Sequence, residues 1–216
     1  MALAVTSQEH MGQQVILHGV SWEAYERLLA DFVDSHAAHF AYDRGTLEIA
    51  VPSLKHETLN RTLATLVEVL ADELGLDALN TGSTTLKRAD IARGFEPDTS
   101  FYMPHAMQVR GKDEIDLGLD PPPDLVIEID ITHPSLDKLP LYAALGIPEV
   151  WRYDGQAVCL LILSEGAYVA GEASTVLPGV TGPILHYFVA ESHRLSRPEW
   201  LRSVRAWVAQ RGNRAM

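Results

Sequence analysis

Two short segments of the chain set carboxylates into extended, apolar sequence. One is FEPDTSFYM (residues 95–103) and the other is PPPDLVIEIDITHPSLDKLPLYAALGIPEVWRYDG (121–155). Each reads as a β-strand carrying an acid, Asp98 in the first and Glu128 in the second, and Lys138 follows at the start of a helix. Two carboxylates on adjacent strands with one ammonium make a minimal site for a hard divalent cation and an activated water. Such a set would serve a metal-dependent phosphodiesterase using Mg²⁺ or Mn²⁺.

Strand periodicity sharpens the expectation. In PDLVIEIDIT it sends Asp124, Val126, Glu128 and Asp130 to one side of a sheet and Leu125, Ile127, Ile129 and Ile131 to the other. A carboxylate in the middle of an apolar central strand costs several kcal/mol to desolvate unless it is paired or metal-bound, roughly the effective penalty per buried ion. Glu128 therefore requires a partner. The same alternation groups Glu96, Asp98 and Ser100, so pairing of the two strands lets Asp98 and Glu128 converge on one cation. Taken singly, each signal has a plain structural reading, since Pro-Asp commonly opens a turn and a lone strand Glu can form an ion pair. Together with Lys138 they point to a metal site. Asp130 reads equally as a further ligand, for this or a second metal, and as a solvated or hydrogen-bonded acid.

The elements that must hold these groups are legible in outline. SWEAYERLLADF (21–32) has a Ser N-cap and helical spacing of Trp22, Tyr25, Leu28 and Leu29. FAYDRGTLEIAVP (40–52) reads as a hairpin turning at Asp43-Arg44-Gly45. A long helix is expected over about 53–74, with Leu59, Leu63, Leu66, Val67, Leu70 and Leu74 on one face and Gly75 ending it. ALNTGSTTLKR and FEPDTSFYM follow as strands. PDLVIEIDIT is the expected central strand, SLDKLPLYAALG a helix that tolerates Pro140 in its first turn, and EVWRYDG with AVCLLILSEGAYVAG a terminal meander.

Composition bounds the class. With 216 residues, 47% apolar and 21% charged, the chain suits one soluble domain over 1–216. No apolar run approaches the roughly 20 residues that span a bilayer, and the N-terminus lacks the pattern of a secretory signal. Cys159, the single cysteine, lies in AVCLLIL and is expected to be buried and inert. These features fit a cytoplasmic protein. The net charge of −12 opposes broad, nonspecific coating of DNA. Residues 193–216, however, hold six arginines (Arg194, Arg197, Arg202, Arg205, Arg211 and Arg214) against one acid, Glu199. That tail is either a phosphate-contacting surface or an amphipathic helix packed through Trp200, Leu201, Val204, Trp207 and Val208.

GSTTLKR, FEPDTSFY and PPDLVIEIDIT-PS-LDK-LYAALGIPEVWRYDG together resemble the Uma-two family of bacterial endonucleases, within the restriction-endonuclease-like superfamily named for PD-(D/E)xK. The resemblance covers roughly 51–155, the expected nuclease core. It implies an α/β fold: a restriction-endonuclease-like mixed central sheet flanked by helices, with an added N-terminal helix and hairpin and a C-terminal meander and helix. It also implies that Asp98 and Glu128 bind a divalent metal, usually magnesium, while a lysine orients or activates water. The strict pattern puts that lysine two residues after Glu128, where this chain has Asp130. The resembling family places it in the following helix, four residues before a tyrosine, hence Lys138 before Tyr142. Superfamily members often add an acid from the long N-terminal helix, for which Glu57 is the candidate, with His56 beside it. Thr132, His133, Lys87 and Arg88 are positions that could touch phosphate. The implied partner is nucleic acid, DNA foremost, with no membrane, and a homodimer would give paired cuts. Two alternatives are a nuclease fold kept as a binding or assembly module without turnover, and a phosphohydrolase acting on a small substrate.

Overall fold

Alternating apolar and polar residues build two sheets, and the chain passes between them three times. The computed structural model describes residues 13–32, 38–131 and 137–212. Thr132, His133, Arg214 and the first twelve residues lie outside them. The first sheet has strands β1 (Gln13–His18), β2 (His39–Asp43), β3 (Thr46–Val51), β5 (Leu86–Arg88) and β6 (Arg93–Phe95) in the order β1-β3-β2-β6-β5. The second contains β4 (Leu79–Gly82), β7 (Thr99–Tyr102), β8 (Leu125–Ile129), β9 (Glu149–Tyr153), β10 (Val158–Ser164) and β11 (Ala167–Ala170) in the order β11-β10-β9-β8-β7-β4. Only β8 and β9 run parallel; every other neighbouring pair is antiparallel.

The helices are α1 (Trp22–Asp31), α2 (Leu54–Leu74), α3 (Ala106–Val109), α4 (Leu139–Leu145), α5 (Gly182–Ser192) and α6 (Arg197–Gly212). Ser21 and Ser53 cap α1 and α2, accepting from Ala24 N–H and His56 N–H, each at 3.2 Å. Gly75 closes α2 in the left-handed conformation. The hairpin turns at Arg44 and Gly45, φ 47° and 99°, as a two-residue loop between strands requires.

The three larger of four cores among the described residues follow from the faces. The α2 stripe of Leu59, Leu63, Leu66, Val67 and Leu70 packs with α5 and α6 against Phe101, Leu125, Ile127 and Ile129 of the second sheet. The opposite face of that sheet offers Val126 and Val150 to Leu141, Tyr142 and Leu145 of α4, together with Ala41, Leu86 and Phe95 of the first sheet. The far face of the first sheet packs Tyr42 and Leu47 on Tyr25 of α1.

Two expectations change. FEPDTSFYM is not one strand: β6 belongs to the first sheet, β7 to the second, and Glu96, Pro97 and Asp98 form the crossing between them. Asp98 therefore precedes a strand rather than lying in one. Cys159 is exposed, because β10 buries Val158 and Leu160 on its other face.

Candidate active site

The crossing is tied down from several sides. Glu96 Oε2 accepts from Phe40 N–H at 2.9 Å, and its Oε1 accepts from the Thr85 hydroxyl at 2.7 Å. Asp98, 8% exposed, accepts from Ile129 N–H at 2.7 Å, which seats its carboxylate at the end of β8. Because Ser53 starts α2 just upstream, His56 and Asn60 stand one helical turn apart above the crossing. Asn60 Nδ2 donates to the Asp98 carbonyl at 2.8 Å, and its Oδ1 accepts from the Thr99 hydroxyl at 2.7 Å. His56 Nε2 lies 3.0 Å from Asp98 Oδ2, and His39 Nδ1, from β2, lies 3.5 Å from Asp98 Oδ1.

Glu128 leaves β8 on the α4 side, as alternation with Ile127 and Ile129 requires. Lys138, the N-cap residue of α4, donates from Nζ to Glu128 Oε2 at 3.0 Å. Its ammonium is also 3.9 Å from Glu48 Oε1. Glu48 is 3% exposed and pairs in register with Ala41, so it faces the second sheet. Glu128 Oε1 and the Tyr142 hydroxyl are both buried without a hydrogen bond among the described residues. Tyr142 is one helical turn beyond Lys138, and its hydroxyl, raised by burial and by the Glu128 carboxylate it approaches, falls short of full hydrogen-bond geometry.

The electrostatics are those of a cation-seeking cluster. Burial alone would raise Asp98, yet the His39 and His56 contacts and the Lys138 charge outweigh it and hold the acid well below the usual carboxylate range. Glu128 goes the other way: burial raises it, Lys138 opposes and the nearby Asp98 adds to the rise. For His39 and His56 burial favours the neutral ring, but Asp98 wins and both are raised. Lys138 is likewise raised, with Glu128, Asp98 and Glu48 overcoming its burial, so it stays charged.

Asp98, Glu128 and Glu48 converge on the Lys138 ammonium, with the His39 and His56 rings against Asp98. Among the described residues no three His, Cys, Asp or Glu groups form a ready-made metal cage. Mg²⁺ does not need one, since it is commonly held by one or two carboxylates, with water and substrate phosphates completing the shell. The hard oxygen donors and the Glu128 Oε1 left without a full hydrogen bond fit such an ion.

Asp98, Glu128 and Lys138, expected together from the sequence, are brought together. Glu57 instead lies toward the surface with Arg61 Nε 3.7 Å away. Asp130 is held by two Arg152 nitrogens, each at 2.7 Å, from neighbouring β9. Lys87 and Arg88 pair with Glu26 and Asp90. The sequence reading missed His39 and Glu48. The only signal for Glu48 was its place between Leu47 and Ile49, whose alternation in a hairpin more often marks a solvated residue. The arginine-rich tail forms α6, where Trp200, Val204 and Val208 are buried against α2 and α5. Its Arg205 meets Glu73 near the end of α2 at 3.2 Å. At 1.5 Å per residue that is about 25 Å along the helix from His56.

Comparison with known proteins gives a family match and several similar solved structures. The family model described as "Uma2: Putative restriction endonuclease" matches residues 22–185. A solved structure described as a putative nuclease belonging to DUF820, from Anabaena variabilis, is similar at 18% identity, covering 83% of this chain and 98% of that one with a TM-score of 0.49. No curated protein matches the chain. No helix among the described residues is long and apolar enough to cross a membrane.

Proposed function

The chain belongs to the Uma2 family of putative restriction endonucleases, and we propose that it is a Mg²⁺- or Mn²⁺-dependent phosphodiesterase that cuts DNA. The observation that carries this reading is the close grouping of buried Asp98 with partly buried Glu128 and Lys138, with Glu48 beside them, placed where the chain crosses between sheets. Asp98 and Glu128 would hold the cation, whose chemistry is Lewis-acid polarisation of a phosphate oxygen and easier ionisation of water.

The protein's own groups have separable roles. Asp98 is oriented by Ile129 N–H, His39 and His56, so its carboxylate needs little reorganisation. Lys138, kept charged by its acidic neighbours, acts as a fixed cation toward the developing charge on phosphate rather than as a proton acceptor. We further take the protein as a cytoplasmic homodimer with paired sites. The exposed Val15 and Leu17 of β1, at one edge of the first sheet, support an association surface.

The test is cleavage of a mixed panel of DNA and RNA in Mg²⁺ or Mn²⁺ by the wild-type chain, Asp98→Ala and Glu128→Ala. DNA cleavage by the wild type alone, with the variants still folded, is the expected result. Turnover in either variant at the wild-type rate removes that residue from the mechanism. A second reading, a nuclease fold that binds without cutting, is favoured by Asp130, which stands where the strict pattern has lysine and is ion-paired to Arg152. Metal-dependent DNA binding with no cleavage across the panel would select it.

A further inference from the structure

Lys138 sits between two carboxylates from different sheets, Glu128 partly buried and Glu48 buried. Its Nζ is 3.0 Å from Glu128 Oε2 on β8 and 3.9 Å from Glu48 Oε1 on β3. The two positions are not equivalent. Glu128 neighbours Asp98, the second acid of the proposed cation site, whereas Glu48 approaches from the opposite sheet. A divalent cation on Glu128 and an ammonium on the same carboxylate repel each other, and this repulsion is strong where water is excluded. Lys138 must then withdraw, and with its side chain only about a quarter exposed it gains by keeping a carboxylate partner. Glu48 is the acid already within reach. Closing the 3.9 Å gap to the roughly 2.8 Å of a charge-assisted hydrogen bond takes only a small swing of the flexible lysine stem.

Resting on the phosphodiesterase reading, we propose that Glu48 is a positioning residue: it receives the Lys138 ammonium when a divalent cation takes Glu128, so that lysine and cation occupy the site together. In the cation-free protein Lys138 neutralises Glu128. In the loaded protein it moves toward Glu48, remains in the site and keeps its charge directed at the phosphate. Without Glu48 the lysine stays on Glu128 and competes with the cation. The Glu48–Lys138 pair thereby couples a residue of the N-terminal hairpin to cation binding on the central strand.

A double-mutant cycle read by Mn²⁺ titration calorimetry tests this without using cleavage. Glu48→Gln keeps the side-chain shape and removes the charge; it is expected to weaken Mn²⁺ binding about tenfold when Lys138 is present. In a Lys138→Met background, where no competitor remains, the same change is expected to cost less than about threefold. Glu48→Asp should recover part of the loss. An equal effect in both backgrounds overturns the proposal, because Glu48 would then act only as general negative charge or as a ligand. No effect in either background also overturns it. Should Glu48→Gln fail to fold, ¹⁵N detection of the Lys138 ammonium during Mg²⁺ titration of the wild-type chain is decisive. A shifted ammonium signal supports the proposal and an unmoved one overturns it. Failure of the wild type to bind either ion removes the phosphodiesterase reading as well, whereas tight binding without coupling removes only the role of Glu48.

Discussion

At the start of α2, His56 and Asn60 reach into a largely buried cluster of Asp98, Glu128, Glu48 and Lys138. At its other end, Glu73 meets Arg205 on the surface while Trp200, Val204 and Val208 of α6 fill the core beneath. The first region gathers acids, an ammonium and two imidazoles where water is scarce; the second distributes charge in the open. Exposed pairs contribute little, about 0–1 kcal/mol each. An excess of buried charge, by contrast, is tolerated only where a counter-ion, a ligand or a shifted protonation state relieves it. Hence the acidic end of α2 reads as the place of chemistry and the arginine-rich end as scaffold, despite a composition that first suggests the reverse for a phosphate-binding protein.

Breaking the acidic end should produce the largest effect. Asp98→Asn preserves shape and is expected to lower Mg²⁺-dependent DNA cleavage at least about a thousandfold, the scale of about 4 kcal/mol in a transition state. A loss under tenfold would place the chemistry elsewhere. At the other end, Trp200→Ala opens a cavity and frees the Phe188 carbonyl that its indole N–H occupies at 2.7 Å. It should cost about 3–5 kcal/mol in urea unfolding while leaving Mn²⁺ affinity of the folded protein within about twofold of wild type. A large change in affinity would mean that the two regions are not separable.

The histidines offer a subtler contrast. His39 and His56 are both raised above 6.5 by Asp98 in the cation-free protein. Their contribution to stability is fully present below that unfolded value and is lost as pH rises through the folded values. Unfolding in chelator should therefore show stability falling from about pH 6.5 upward. In Asp98→Asn this fall should shrink, since burial favours the neutral rings and only Glu96, Glu128 and Glu57 still oppose it. Identical pH profiles would show that the histidines do not gain charge from Asp98. The smallest effect belongs to Arg202, exposed on α6. Arg202→Ala should change stability by less than about 0.5 kcal/mol and cleavage by less than about twofold. A marked, salt-dependent loss of DNA binding would restore α6 as a phosphate surface.

What the sequence disclosed follows the same division. The α2 stripe, its Ser53 cap and Gly75 stop, and the alternation around Glu128 are local patterns, and the structure has them. Asp98, Glu128 and Lys138 were recognisable because all lie within one run of chain matching a known pattern. Glu48 and His39 were not, because they reach the site only through pairing of the first sheet, and a strand Glu or His alone carries no mark of what it faces. The split of FEPDTSFYM between sheets was hidden for a related reason: a crossing of three residues is too short to interrupt strand periodicity. Tertiary context also decided the arginines, whose spacing suited either a packed helix or a phosphate surface.

The central claim is that Asp98 and Glu128 share one divalent cation. The most direct measurement is anomalous diffraction from crystals soaked in manganese. The expected result is a single strong peak within ligand distance, about 2.2 Å, of oxygens from both carboxylates, with Lys138 displaced toward Glu48. Ordered crystals at saturating manganese with no peak there, and with the Lys138 ammonium still on Glu128, would contradict it.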